Sequence, residues 1–110
     1  MKKLWLKQDA FNAINSRIKT IECRLDYGFI KCIHKNEILE ICNKDNSFIV
    51  KINKITRYNN FSEMLDNIDI TKLIYNDIDS REKIIDLYNS LYSAKNQRRY
   101  NVLCLFLEKI

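Results

Sequence analysis

Lys19, Thr20, Glu22 and Arg24 put an amine, a hydroxyl, a carboxylate and a guanidinium into the short stretch INSRIKTIECR, residues 14–24. Those types can support hydrolysis: Glu22 as general base for a water, with Lys19 or Arg24 stabilising the oxyanion that forms on an amide carbonyl. Thr20 is the alternative nucleophile, activated by a lysine held neutral through burial. Arg17 and Arg24 would favour the neutral form of Lys19 and Glu22 would oppose it. Without any chemistry, Glu22 and Arg24 can read the polar edges of a base. They also fit an ordinary ion pair on a solvated strand face, worth about 0 to 1 kcal/mol.

What these groups can do depends on the element that carries them. A strand over residues 20–25 sends Ile21, Cys23 and Leu25 to one face and Thr20, Glu22 and Arg24 to the other. Lys19 falls at the strand's first residue, where its direction is open but its side chain can reach the polar row. Upstream, Leu6, Ala10, Phe11 and Ile14 predict a helix over 7–16, and Arg17 stands where a terminating glycine is expected. Residues 29–54 read as several strands with turns near Lys35-Asn36 and over 43–46. Phe48, Val50 and Ile52 alternate, then Ile55 breaks parity, which a bulge near Asn53-Lys54 explains. Asn60 with Glu63 predicts a capped helix carrying Phe61, Met64, Leu65 and Ile68. Asp79 with Glu82 predicts another, bearing Ile84, Ile85, Leu87, Tyr88, Leu91 and Tyr92. In residues 100–107 both alternating sets are apolar, so that strand is expected to be buried on both faces. Helix, strands, helices and a final strand, without a regular βα repeat, give an α+β fold with a strongly curved sheet or small barrel.

The 110 residues, 46% apolar and 30% charged, suit one soluble domain spanning 1–110. No apolar run approaches the roughly 20 residues of a membrane helix, and MKKLWLKQD has no signal-peptide core, so a cytoplasmic location without membrane association is expected. Cys23, Cys32, Cys42 and Cys104 form no CxxC pair and are expected to be reduced, buried thiols in strands. Cys32 and His34 lie two apart, but without a second matched pair no metal site is expected, and nothing calls for a cofactor. The oligomeric state is open.

Residues 63–86 hold seven acids against Lys72, Arg81 and Lys83, a balance of −4, so the rest of the chain carries +9 of the net +5. An acidic back and a basic front follow if that segment covers one side of the sheet. The front would draw on Lys2, Lys3, Lys7, Arg17, Lys19, Arg24, Arg57, Arg98 and Arg99, and would orient a polyanion. Trp5 lies among lysines, Tyr58 follows Arg57 and Tyr100 follows Arg98-Arg99, the aromatic-beside-cation pattern of stacking on an unpaired base. Tyrosines plugging the rim of a core would give the same pattern.

Three segments in order, LWLKQDAFNAINSRIKTIECR, KITRYNNFSEML and LYNSLYSAKNQRRYNVLCLFLEKI, resemble the ASCH family, a branch of the PUA-like superfamily of small RNA-associated barrels. The resemblance spans nearly the whole chain. Arg17 stands where the family usually has glycine before its lysine, Asn36-Glu37 where a Gly-Asp turn is common, and Asn101 replaces a glycine opening the final strand. The resemblance implies a PUA-like β-barrel with flanking helices and a ligand pocket between barrel and first helix, for RNA or a modified nucleobase. Some members resemble amidohydrolases that deacetylate N4-acetylcytidine through a lysine, a threonine and a glutamate. Lys19 matches that lysine, whereas Glu22 occupies the threonine's place. A ribonuclease activity has also been proposed in the family, and Ser93 lies in the matching Tyr-Ser segment.

The expected function is therefore RNA or modified-nucleobase binding through Trp5, Lys19, Glu22, Arg24, Arg57, Tyr58, Tyr92, Ser93 and Arg98. Amidohydrolysis with Lys19, Thr20 and Glu22 as catalytic candidates, or ribonuclease activity, is the first alternative. A protein-interaction module using the acidic helical side is the second.

Overall fold

The computed structural model describes residues 1–110. Their order is β1 (Lys3–Trp5), α1 (Gln8–Asn15), β2 (Ile21–Leu25), β3 (Ile38–Asn43), β4 (Asn46–Tyr58), α2 (Phe61–Asn67), α3 (Arg81–Leu91), α4 (Ala94–Arg99) and β5 (Val102–Lys109). Short 3-10 turns occupy Gly28–Cys32 and Ile70–Lys72. One five-stranded sheet runs in the order β1-β3-β4-β5-β2, antiparallel except for β1 beside β3, and curls into a half-barrel with β1 and β2 as its edges.

The doubly apolar closing strand organises the packing. Leu103, Leu105 and Leu107 join Leu4, Phe11, Ile14, Leu39, Ile41, Val50 and Ile52 in a core inside the curl, lidded by α1. Val102 and Cys104 face the other way and pack with Ile21, Cys23, Leu25, Met64 and Ile84 under α2 and α3. Truncating a residue such as Leu105, which is fully covered, costs about 2–5 kcal/mol in comparable cores. The parity break is a bulge: Ile52 opposes Leu107, Lys54 opposes Phe106, and Asn53 is the extra residue that tightens the local twist.

Several expectations are corrected. A three-residue strand, β1, precedes the first helix; it is too short to show a period and exists because β3 offers it a parallel edge. Residues 28–32 form a 3-10 turn and not a strand, which leaves Cys32 exposed while Cys23, Cys42 and Cys104 are buried. Asp79 does not cap α3: Ser80 accepts from the Lys83 amide at 3.2 Å, and Asp79 instead pairs with the Lys83 ammonium at 3.0 Å. Ser93 caps α4, a short polar helix with no apolar stripe to announce it. Asn60 does cap α2, accepting from the Glu63 amide at 2.8 Å, and Ile68 ends that helix.

The chain's scarcity of glycine shows at the end of α1. Arg17 takes φ +65°, with its amide bonded to Ile14 O and the Ile18 amide to Ala13 O, both at 3.0 Å. This is the double closure of a Schellman motif, in which an L side chain is strained. Arg17→Gly should raise unfolding stability by up to about 1 kcal/mol, the relieved strain exceeding the flexibility added to the unfolded chain. A urea midpoint below that of the native protein would contradict it.

Candidate functional site

Glu22 and Arg24 oppose Leu105 and Leu103 in register, so their side chains enter the concave side of the sheet at the β2 edge. Cys23 opposes Cys104 and faces the helices. Glu22 is 8% exposed and Lys19 3%. Lys19 Nζ donates to Ile21 O at 2.7 Å and lies 3.6 Å from Glu22 Oε1, while Arg24 Nε donates to Glu22 Oε2 at 3.0 Å. Arg24 then reaches across the open side of the half-barrel and donates to Trp5 O on β1 at 3.0 Å. Two edges that share no backbone bond are thus joined through a lysine–carboxylate–guanidinium chain.

That chain forms the polar wall of a cavity of about 290 Å³. Trp5, Leu6, Lys7 and Ala10 contribute one side, from β1 and the start of α1. Tyr75 and Ile78 contribute another, from a turn closed by reciprocal bonds between the two residues at 3.2 and 2.9 Å, with Asn76 at φ +50°. Leu87, Tyr88, Leu91 and Tyr92 complete it from α3 and its C-terminal cap. The Thr20 amide donates to Lys72 O at 3.0 Å, which pins the 3-10 turn leading to Tyr75 against the start of β2. Lys19 Nζ stands 5.5 Å from the centre of the Tyr75 ring, within cation–π range.

The phenols are held protonated. Burial raises Tyr75, and the Glu22 carboxylate adds to it; burial raises Tyr88 well above its ordinary range; burial raises Tyr92 although Arg24 opposes it. Burial, followed by the hydrogen bond with Cys104 at 2.9 Å between sulfurs, also lifts the Cys23 thiol well above its ordinary range. The cavity therefore offers neutral hydroxyl groups and one paired carboxylate among aromatic faces.

Of the residues singled out in the sequence, the cavity gathers Trp5, Lys19, Glu22, Arg24 and Tyr92. Thr20 lies outside its lining, as do Arg57, Tyr58, Ser93 and Arg98. Arg57 is paired with Asp26 at 2.9 Å, Tyr58 packs on the helix-side core, Ser93 caps α4 and Arg98 is exposed in that helix's last turn. The basic front is also more neutralised than the charge count implies, since Lys2 pairs with Glu37 at 2.8 Å and Lys3 with Glu40 at 3.9 Å. Tyr75 was missed because its segment has no period; the Asn76-Asp77 pair, a turn signal, was the available clue. No group of three or more metal-type side chains converges anywhere in the chain, and no helix is long and apolar enough to cross a membrane.

The ASCH domain model matches residues 4–110. The chain belongs to the ASCH domain family. Its fold is similar to the hypothetical protein PH0355, with a TM-score of 0.87 and 25% identity over 100% of both chains. Protein PF0455 from Pyrococcus furiosus is similar at a TM-score of 0.79 and 23% identity, over 99% of this chain and 96% of that one. ASCH from Zymomonas mobilis shares the fold at a TM-score of 0.67 and 11% identity, over 96% of this chain and 65% of that one. No curated protein matches the sequence.

Two outcomes follow for this ASCH domain. Glu22→Ala strands Lys19 and Arg24 together and should cost about 3 kcal/mol, whereas Lys19→Met leaves Glu22 its Arg24 partner and should cost clearly less. Urea unfolding of both variants tests that order. Cys23 and Tyr88 have folded values above their unfolded ones, so their contribution is complete below the unfolded values and is lost as pH rises. Stability should decline from about pH 9, with a slope approaching about 1.4 kcal/mol per pH unit for each group ionised only in the unfolded chain. Cys23→Ala should make the decline that begins near pH 9 shallower without abolishing it, since burial also raises the Cys42 thiol, with the tyrosines adding to it above about pH 10.

Proposed function

We propose that this ASCH domain binds a nucleobase of RNA, or a modified nucleoside, in the cavity between β1, β2 and α3. The observation that carries the reading is the buried Glu22 carboxylate, fixed by Lys19 and Arg24 and set among Trp5, Tyr75, Tyr88 and Tyr92. Aromatic faces stack on a base of any sequence, and a carboxylate accepts only from donors. The site therefore favours bases that present an amino group, such as cytosine at N4, over uracil, whose corresponding atom is an acceptor. A volume of about 290 Å³ stands at the low end of small-ligand sites, which suits a single base with its sugar outside. The association of the ASCH family with RNA supports the same class of ligand.

Amidohydrolysis of N4-acetylcytidine is a second reading, favoured by the buried Lys19–Glu22 pair at the cavity wall. Glu22 would take a proton from water as its oxygen attacks the acetyl carbon. Lys19 or Arg24 would hold the resulting oxyanion, and that proton would pass to N4 as the C–N bond breaks, giving acetate and cytidine.

Trp5 is the chain's single tryptophan and lines the cavity, so its fluorescence reports occupancy directly. Titration with cytidine and uridine should show cytidine binding at least tenfold tighter, with the preference reduced in Glu22→Gln. Equal response to both nucleosides, or none, would defeat base reading at this site. Chromatography of N4-acetylcytidine incubated with the protein tests the second reading. Cytidine release that disappears in Lys19→Met would establish it, and the absence of release from the folded native protein would remove it.

A further inference from the structure

A smaller cavity of about 220 Å³ adjoins the first and shares Arg24 and Tyr92 with it. Its outer wall is Tyr27, just after β2, with Gly28, Phe29 and Ile30 from the 3-10 turn itself. We infer that this second cavity takes the base of an adjacent nucleotide, so that the ligand is a single-stranded oligonucleotide and not a free nucleoside. The inference rests on base binding in the first cavity.

Phe29 is 48% exposed and Tyr27 49%, an apolar pair left in water at the mouth of a concave site. Tyr27 is braced by stacking on Tyr100, with ring centres 5.0 Å apart and planes at 28°. Phe29 has no ring partner, so its face is available to a base. Two cations lie against the Tyr100 ring that braces Tyr27. Lys31 Nζ lies 6.0 Å and the Arg99 guanidinium 5.4 Å from the centre of the Tyr100 ring, and Arg98 precedes them in the last turn of α4. None of these three is in an ion pair, unlike Lys2, Lys3, Lys19, Arg24 and Arg57. Unpaired positive charge on the Tyr100 side of the cavity and the unstacked Phe29 ring in its wall are what a strand needs: phosphates on the cations, a base on the ring.

Gly28 fits the same picture. It is the chain's only glycine and takes φ +70°, yet Arg17, Asn36, Lys44 and Asn76 hold φ values of 50–71° without one. An added Cβ at Gly28 would meet nothing within 4 Å. Its missing side chain thus leaves open space in the wall of the second cavity, where a sugar-phosphate backbone can come close.

The test compares cytidine, a cytidine dinucleotide and an eight-residue oligocytidylate by calorimetry on the native protein, Phe29→Ala, and a Lys31→Ala/Arg99→Ala double variant. Phe29 is exposed, and an unchanged urea midpoint will confirm that its replacement leaves the fold intact. The dinucleotide should bind at least tenfold tighter than cytidine. Phe29→Ala should weaken the oligomer about 5- to 100-fold and leave cytidine unaffected. The double variant should flatten the dependence of log affinity on log salt by one to two units. If cytidine binds but the dinucleotide gains nothing, or if Phe29→Ala leaves the oligomer unaffected, the second subsite is overturned while base binding stands. If neither cytidine nor oligomers bind the native protein, both readings fall.

Discussion

A half-barrel has two free edges, and in this chain their closure passes through one carboxylate. Glu22 holds Lys19 on one oxygen and Arg24 on the other, and Arg24 ends on the Trp5 carbonyl of the opposite edge. Continued pairing between strands would have closed the barrel with backbone groups and left nothing to bind with. Closure by side chains leaves a gap the width of a side chain network, and the cavity is that gap. Burying the Lys19 and Glu22 charges is expensive unless each is paired and hydrogen-bonded, which explains why Lys19 also bonds Ile21 O and why the partly exposed Arg24 is held on both Glu22 and Trp5 O.

The same arrangement ties shape to charge. The walls of the cavity come from segments that have little in common: the start of α1, a turn at Tyr75–Ile78, and the C-terminal half of α3. The first is held by β1 on β3, the second by the Thr20–Lys72 bond, and the third by the packing of Ile84 and Tyr88 over Cys23 and Cys104. β2 lines the cavity together with all three, and its two faces do different work. The helix-side row anchors α3 through apolar contacts, and the concave-side row carries the polar groups.

Much of this was legible in the sequence because it follows period and parity. The two faces of β2, the bulge at Asn53, the cap at Asn60 and the double burial of β5 all come from alternation or capping chemistry. ASCH membership and the PUA-like fold came from the order of three motifs, none of which is specific alone. What escaped was set by tertiary context. β1 is too brief to show a pattern, α4 is polar throughout, and Tyr75 reaches the site only because a turn and a backbone bond from Thr20 deliver it. Thr20 illustrates the limit on the polar row: parity assigned it to the same face as Glu22, but its position at the strand's end put it outside the cavity.

The position of β2 in the sheet has a consequence for the order in which the site is made. Its only strand neighbour is β5, and Ile21 to Leu25 pair with Phe106 to Val102 across most of the chain. During synthesis the residues of the polar wall emerge early, yet no strand pairs with them until β5 has left the ribosome. The loop that must close is nearly as long as the domain, which makes folding slow relative to helical proteins of this size. Until then Lys19, Glu22 and Arg24 remain on a segment without a sheet, and a nascent chain lacking β5 has no such cavity.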